Sequence, residues 1–141
     1  MDRKPKRRTR ERILTTALAC FNRQGEPSVT TSAIAAEMEI SQGNLYYHFH
    51  NKEEIINALF CEFEQQMDRL LEAVSTPSDE PEDIWLFLHL MFEAIWQYRF
   101  LYYDIATLMS GYHQVEQRFS ALLRRKELTA IAICDHLQTV G

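Results

Sequence analysis

The chain predicts an all-α fold, and three observations carry that prediction. Only 4 Gly and 4 Pro interrupt 141 residues. Apolar residues recur at three- and four-residue spacing, and no segment alternates apolar and polar in the manner of a strand. Short polar side chains suited to N-capping stand before several of the periodic runs. Together they predict a three-helix N-terminal head in a basic arm and helix-turn-helix unit (1–52), joined by a long helix to a helical body (53–141).

Residues Met1–Arg8 read as a mobile basic arm, because Pro5 opposes helix there. From Thr9, a candidate N-cap, the residues Ile13, Leu14, Ala17, Leu18 and Phe21 keep helical spacing. Gln24-Gly25-Glu26-Pro27 ends that helix with a Gly followed by a Pro. Thr30 caps a second helix with Ile34, Ala35 and Met38 inward, and Ser41 a third with Leu45, Tyr46 and Phe49 inward. Asn51 caps the long helix, whose stripe Ile55, Ile56, Leu59, Phe60, Phe63, Met67, Leu70, Leu71 and Val74 runs to about Ser75. Glu53 and Glu54 in its first turn favour the positive end of the helix dipole. The polar stretch STPSDEPED breaks the chain before an Ile84–Tyr103 helix that is apolar nearly all round. A short helix ends near Gly111, and a last one carries Val115, Phe119, Leu122, Leu123, Leu128, Ile131 and Cys134.

Composition narrows the function classes. Hydrophobic residues make up 46% of the chain, enough for a packed core and unlike a disordered sequence. No stretch reaches the roughly 20 apolar residues needed to cross a bilayer. The opening MDRKPKRRTRER has no apolar run behind it, which argues against a secretory signal. Cys20, Cys61 and Cys134 are unpatterned, so they read as reduced, buried thiols of a cytoplasmic protein. The net charge of −5 conceals a split: residues 1–52 carry nine basic and five acidic groups, and the remainder is strongly acidic. An acidic protein meets DNA only through a basic end, so the head is the face for phosphates.

The segment TTSAIAAEMEISQGNLYYHFHNK concentrates the chemistry. Gln42, Gly43 and Asn44 fall in the first turn of the third helix, the position from which recognition helices meet base edges. Gln and Asn amides suit bidentate pairing with adenine, and Gly43 admits close backbone approach. Tyr46 offers a ring to a thymine methyl. Tyr47, His48 and Lys52, with Thr30 and Thr31, are donors suited to phosphate. Tyr46 also reads as a packing residue, and the basic arm as solubilising charge.

Here the sequence resembles the TetR family of bacterial regulators. The resemblance rests on Thr30, Ile34-Ala35, Ile40-Ser41, Gly43, Leu45-Tyr46-Tyr47-His48-Phe49 and Asn51-Lys52-Glu53. It implies phosphate contacts at Thr30, Tyr47, His48 and Lys52, and base contacts at Gln42, Gly43, Asn44 and Tyr46, with Ser32 as a further reader. The sequence departs from the family in two places: Glu39 stands where Gly is usual in the turn, and Ala33 where a capping-box Glu is common. The resemblance also implies a homodimer on a double-stranded DNA operator, a small-molecule effector held by the body, and repression as the commoner mode. Family chains run on with two further helices, so 141 residues reads as a truncated form or one that dimerises differently.

Within the body, aromatic residues crowd Trp85–Tyr103. His89 and Glu93 share a face with Trp96 at i, i+4, i+7 spacing. Core packing is the plain reading of such crowding. The alternative is an effector site of Trp85, His89, Phe92, Glu93, Trp96, Arg99 and Tyr103. The segment WLFLHL…YRFLYYD resembles TetR-type regulators linked to polyhydroxyalkanoate metabolism, which implies a fatty-acyl or acyl-CoA effector.

Other classes find little support. There is no Gly-rich phosphate loop, nucleophile elbow or metal spacing, so an enzyme, a cofactor and a metal are not expected. His48 and His50 lie two apart on a helix, so their rings point about 200° apart, wrong for one ion. Two rivals remain: an activator of the same fold, and a helical scaffold whose helix-turn-helix no longer meets DNA.

Overall fold

The computed structural model describes residues 5–74 and 80–140, and among them every regular element is helical. Eight α-helices follow in order: α1 (Pro5–Gln24), α2 (Thr31–Glu37), α3 (Gln42–His48), α4 (Lys52–Val74), α5 (Pro81–Gln97), α6 (Phe100–Tyr103), α7 (Ile105–Gly111) and α8 (His113–Val140). A single 3₁₀ turn, Glu26–Ser28, joins α1 to α2.

The local signals of the head act as expected. Thr30 Oγ1 accepts from the Ala33 backbone N–H at 3.1 Å, and Ser41 Oγ from that of Asn44 at 3.0 Å. Asn51 Oδ1 accepts from the Glu54 N–H at 2.9 Å, fixing the start of α4. Each bond satisfies a donor that a helix start would otherwise leave without a partner. In the turn between α2 and α3, Glu39 takes φ 55°, a left-handed conformation that a Gly would adopt without strain.

The start of the chain differs from expectation. The first helix begins at Pro5 and passes straight through Thr9, which is not its cap. Proline is well suited to the opening position of a helix, where its missing N–H has no partner to lose. Residues 5–8 of the expected arm are thus helical, and the arm's first four residues lie outside the described ones.

One continuous core unites the molecule. Ile13, Leu14, Ala17 and Phe21 of α1 meet Ile34, Leu45 and Phe49 in the head, and the same cluster continues through Ile55, Leu59, Phe63 and Met67 of α4. It then takes in Phe100, Leu108, Phe119 and Leu122 of the body. Helix α4 is the shared wall, packing on α1 at one end and on α5 and α8 beyond. Ion pairs Arg118–Glu64, at 3.2 Å, and Arg125–Asp68 fasten α8 to α4.

The expected continuous Ile84–Tyr103 helix is broken at Tyr98–Arg99 into α5 and α6. Asn22 of α1 occupies the break, donating from Nδ2 to the Gln97 carbonyl at 2.8 Å and accepting the Phe100 N–H at Oδ1 at 3.1 Å. A neighbouring side chain thereby replaces bonds that the helix gives up. The break before α5 includes residues 75–79, outside the described ones. Of the cysteines, Cys20 is buried, but Cys61 is only half-buried and Cys134 is exposed, so the buried reading holds for the first alone. No helix among the described residues is long and apolar enough to cross a membrane.

Candidate nucleic-acid interface and body cleft

Helix α3 presents its first turn outward. Gln42, Gly43 and Asn44 are exposed, and a Cβ placed on Gly43 would meet nothing within 4 Å. Tyr46 and Tyr47 are 56% and 63% exposed, while Leu45 between the two turns is buried. Tyr46 therefore does not point inward with Leu45 and Phe49. Its ring stands edge-on to His50 at 5.4 Å, and that of Tyr47 meets His48 at 5.3 Å. From α2, Thr30 and Ser32 are exposed and Thr31 is half-buried. The Thr30 oxygen is engaged as a cap acceptor, which leaves its hydroxyl proton to donate. Nine of the ten expected DNA-contacting residues thus lie on α2, its cap and α3.

Lys52 is the exception. Its Nζ donates to the Glu26 carbonyl at 3.1 Å and the Val29 carbonyl at 3.0 Å, and pairs with Glu26 Oε1 at 2.8 Å. Three acceptors use all three ammonium donors, so Lys52 stitches the α1–α2 connection to α4 instead of offering a free cation to phosphate.

Glu26, only 3% exposed, is the residue that sequence reading missed. Besides Lys52, its Oε1 accepts from the Tyr112 hydroxyl at 2.8 Å, and its backbone N–H donates to Asp104 Oδ2 at 2.8 Å. Burial and the neighbouring Glu26 carboxylate push the Tyr112 phenol well up, so it stays protonated as a donor. The preceding Gly25 adopts φ 81°, which allows the chain to turn tightly against Asp104. Head, α4 and the α6–α8 corner therefore meet at one buried carboxylate.

The residues of the expected effector face lie mostly on the surface and do not line a cavity together. Trp85, Phe92, Trp96 and Tyr103 are 62–70% exposed, and His89 and Glu93 are also exposed. Trp85 stacks on His89 at 5.4 Å, and the Arg99 guanidinium lies over the Trp96 ring at 4.7 Å, so these groups engage one another on the outside. An all-round apolar helix gives no phase for its inner side, and α5 turns Phe87 and Ala94 inward instead.

An apolar cavity lies on the other flank. Helices α5 and α8 both lean on α4 and leave between them a cleft of about 520 Å³. Leu71, Ile84, Phe87, Leu88, Met91, Ile95, Ala130, Ile133 and Leu137 line it, with Thr129 and Cys134. Lys126 and Glu127 are its charged members among the described residues. Among those residues no group of three or more His, Cys, Asp or Glu side chains is placed to hold a metal ion.

This fold, a three-helix head with an outward α3 on a helical body, is that of a helix-turn-helix regulator. Residues 13–59 match the family described as bacterial regulatory proteins of the tetR family, and residues 62–141 match the one described as bacterial transcriptional repressor. The chain belongs to the TetR family of bacterial transcriptional regulators. A TetR-family regulator from Marinobacter aquaeolei VT8 is 37% identical, with a TM-score of 0.86 over 94% of this chain and 66% of that one. The ketosteroid regulator KstR2 of Mycobacterium tuberculosis is 26% identical, with a TM-score of 0.65 over 85% of this chain and 61% of that one. UidR of Escherichia coli K12 is 38% identical over 69 residues, 49% of this chain and 34% of its own. The chain thus spans between about a third and two-fifths of the curated relatives it matches.

Proposed function

We propose that the protein is a ligand-responsive, sequence-specific DNA-binding repressor that acts as a homodimer on a palindromic operator. The observation that carries this reading is the open first turn of α3, where Gln42, Gly43 and Asn44 stand clear of the protein. Gln42, Gly43, Asn44 and Tyr46 read bases, with Ser32 beside them. Thr30, Thr31, Tyr47 and His48 hold phosphates and set the register. Lys52 acts one step back, fixing the angle at which α4 leaves the head.

The effector enters the cleft between α4, α5 and α8. Filling it moves α5 and α8 relative to α4, and the change reaches the head through α4 and through the Glu26 junction. The two recognition helices of a dimer then lose their spacing of about 34–36 Å, one turn of DNA. A coupling of about 1–3 kcal/mol between the two sites suffices.

The test is selection of bound fragments from a random duplex pool by the purified chain, followed by a salt titration on the selected site. A palindrome with one-turn half-site spacing and a steep loss of affinity with salt is the expected result. No enrichment of any sequence at low salt would refute the reading.

A further inference from the structure

The cationic side chains of α8 are not equivalent. Arg118 and Arg125 each face a carboxylate on α4. Lys126, in contrast, is engaged by no carboxylate among the described residues. Its Nζ donates to the Tyr102 hydroxyl at 2.7 Å and lies 5.5 Å and 5.4 Å from the ring centres of Phe63 and Tyr102. Burial holds the amine well below its usual range, at about 8. Desolvating an ammonium without a counter-ion is costly, and a hydrophobic residue of similar length would pack the same place at lower cost. The residue nonetheless lines the cleft, whose other walls are mostly aliphatic chains and Phe87, with Glu127, Thr129 and Cys134 beside them.

A long apolar trough with one cation that lacks a counter-ion is complementary to a molecule with a hydrocarbon chain and a single negative head. We infer that Lys126 is the anchor for the carboxylate of a medium- or long-chain monocarboxylate, whose chain lies along Leu71, Phe87, Met91 and Ile133. Tyr102 is a positioning residue: its hydroxyl holds the ammonium in place. The cleft's volume of about 520 Å³ is that of sites for small organic ligands. One cation suits one carboxylate. The several phosphate charges of a coenzyme A thioester would need more. This inference rests on the reading of the cleft as the effector site.

Isothermal titration of the full chain with decanoate, 1-decanol, decylamine and decanoyl-coenzyme A tests it. Decanoate is expected to bind about tenfold or more tightly than 1-decanol, the scale of a hydrogen bond to a charged group. Lys126→Met, which keeps the packing on Phe63 and Tyr102, is expected to erase that preference while still admitting decanol. Tyr102→Phe is expected to reduce the preference without abolishing chain binding. Equal affinity for decanoate and decanol in the unaltered chain would overturn the assignment. So would an undiminished preference in Lys126→Met, or binding of neither compound. Tighter binding of decylamine would give the head group to Glu127 instead, and tighter binding of the thioester would exclude a free carboxylate. If Lys126-dependent decanoate binding leaves operator affinity unchanged, the anchor stands and the proposed switch falls.

Discussion

Lys52 and Glu26 form a buried ion pair, at 2.8 Å between Nζ and Oε1, that joins the first residue of α4 to the turn between α1 and α2. Glu26 is almost wholly enclosed and also receives the Tyr112 hydroxyl. Removing it strands two donors inside the protein. Glu26→Ala should therefore lower stability by about 2–4 kcal/mol, read as a drop in the urea midpoint with unchanged slope. A loss under about 0.5 kcal/mol, the range of an ordinary surface substitution, would contradict the junction.

The same pair predicts how Lys52 affects DNA. A phosphate-contacting lysine, once removed, reduces the dependence of log K on log salt by about 0.9. Lys52→Met should instead weaken operator binding with the salt slope retained, because the head is less firmly held. A slope lowered by nearly one unit would restore Lys52 to the phosphate contacts.

Gln42→Ala should cost about 1–3 kcal/mol on the selected operator and relax the base preference at one position of each half-site. Anisotropy titrations with operator and random duplexes at one salt concentration check this. Equal losses on both would mean that Gln42 reads no base.

Glu39 holds a left-handed backbone at φ 55°. Glu39→Gly should relieve about 1 kcal/mol of strain and raise the melting temperature by about 2–4 °C, with operator affinity unaltered. A lower melting temperature would show that the carboxylate contributes more than the turn costs.

Lys126 predicts a pH signature. Its folded value is lowered from 10.5 to about 8, so between those limits the unfolded chain binds more protons than the folded one. Stability against that proton rises with pH across this window, and below pH 8 the cost of charging the buried amine is fully present. Tyr102 and Tyr98, both pushed up to about 12, stay neutral throughout. Lys126→Met should therefore exceed the unaltered chain in urea midpoint at pH 7, with the gap closing toward pH 10. A gap independent of pH would mean that the amine is not desolvated.

What was legible in the sequence was what is local. Thr30, Ser41 and Asn51 announce helix starts because the capping bond spans only three residues, and the stripe of α4 fixes which side faces inward. The inward side of α5 was not legible, since a helix apolar on every side has no phase to read, and the aromatic residues Trp85, Phe92 and Trp96 face outward. Glu26 was hidden because its partners lie 26, 78 and 86 residues away. Lys126 did leave a signal: it falls in step with Phe119, Leu122 and Ile133, a charge set into the apolar stripe of α8. That position distinguishes it from Arg124 and Arg125 beside it.

The amide of Asn22 grips the polypeptide on both sides of the α5–α6 interruption. The head is thus moored to the body three times, along the stem of α4, at the Glu26 junction and at this clasp. A swing of the stem that left both side-chain moorings closed would have to carry α1 with the body, so the expected response of the head is rotation and not simple separation.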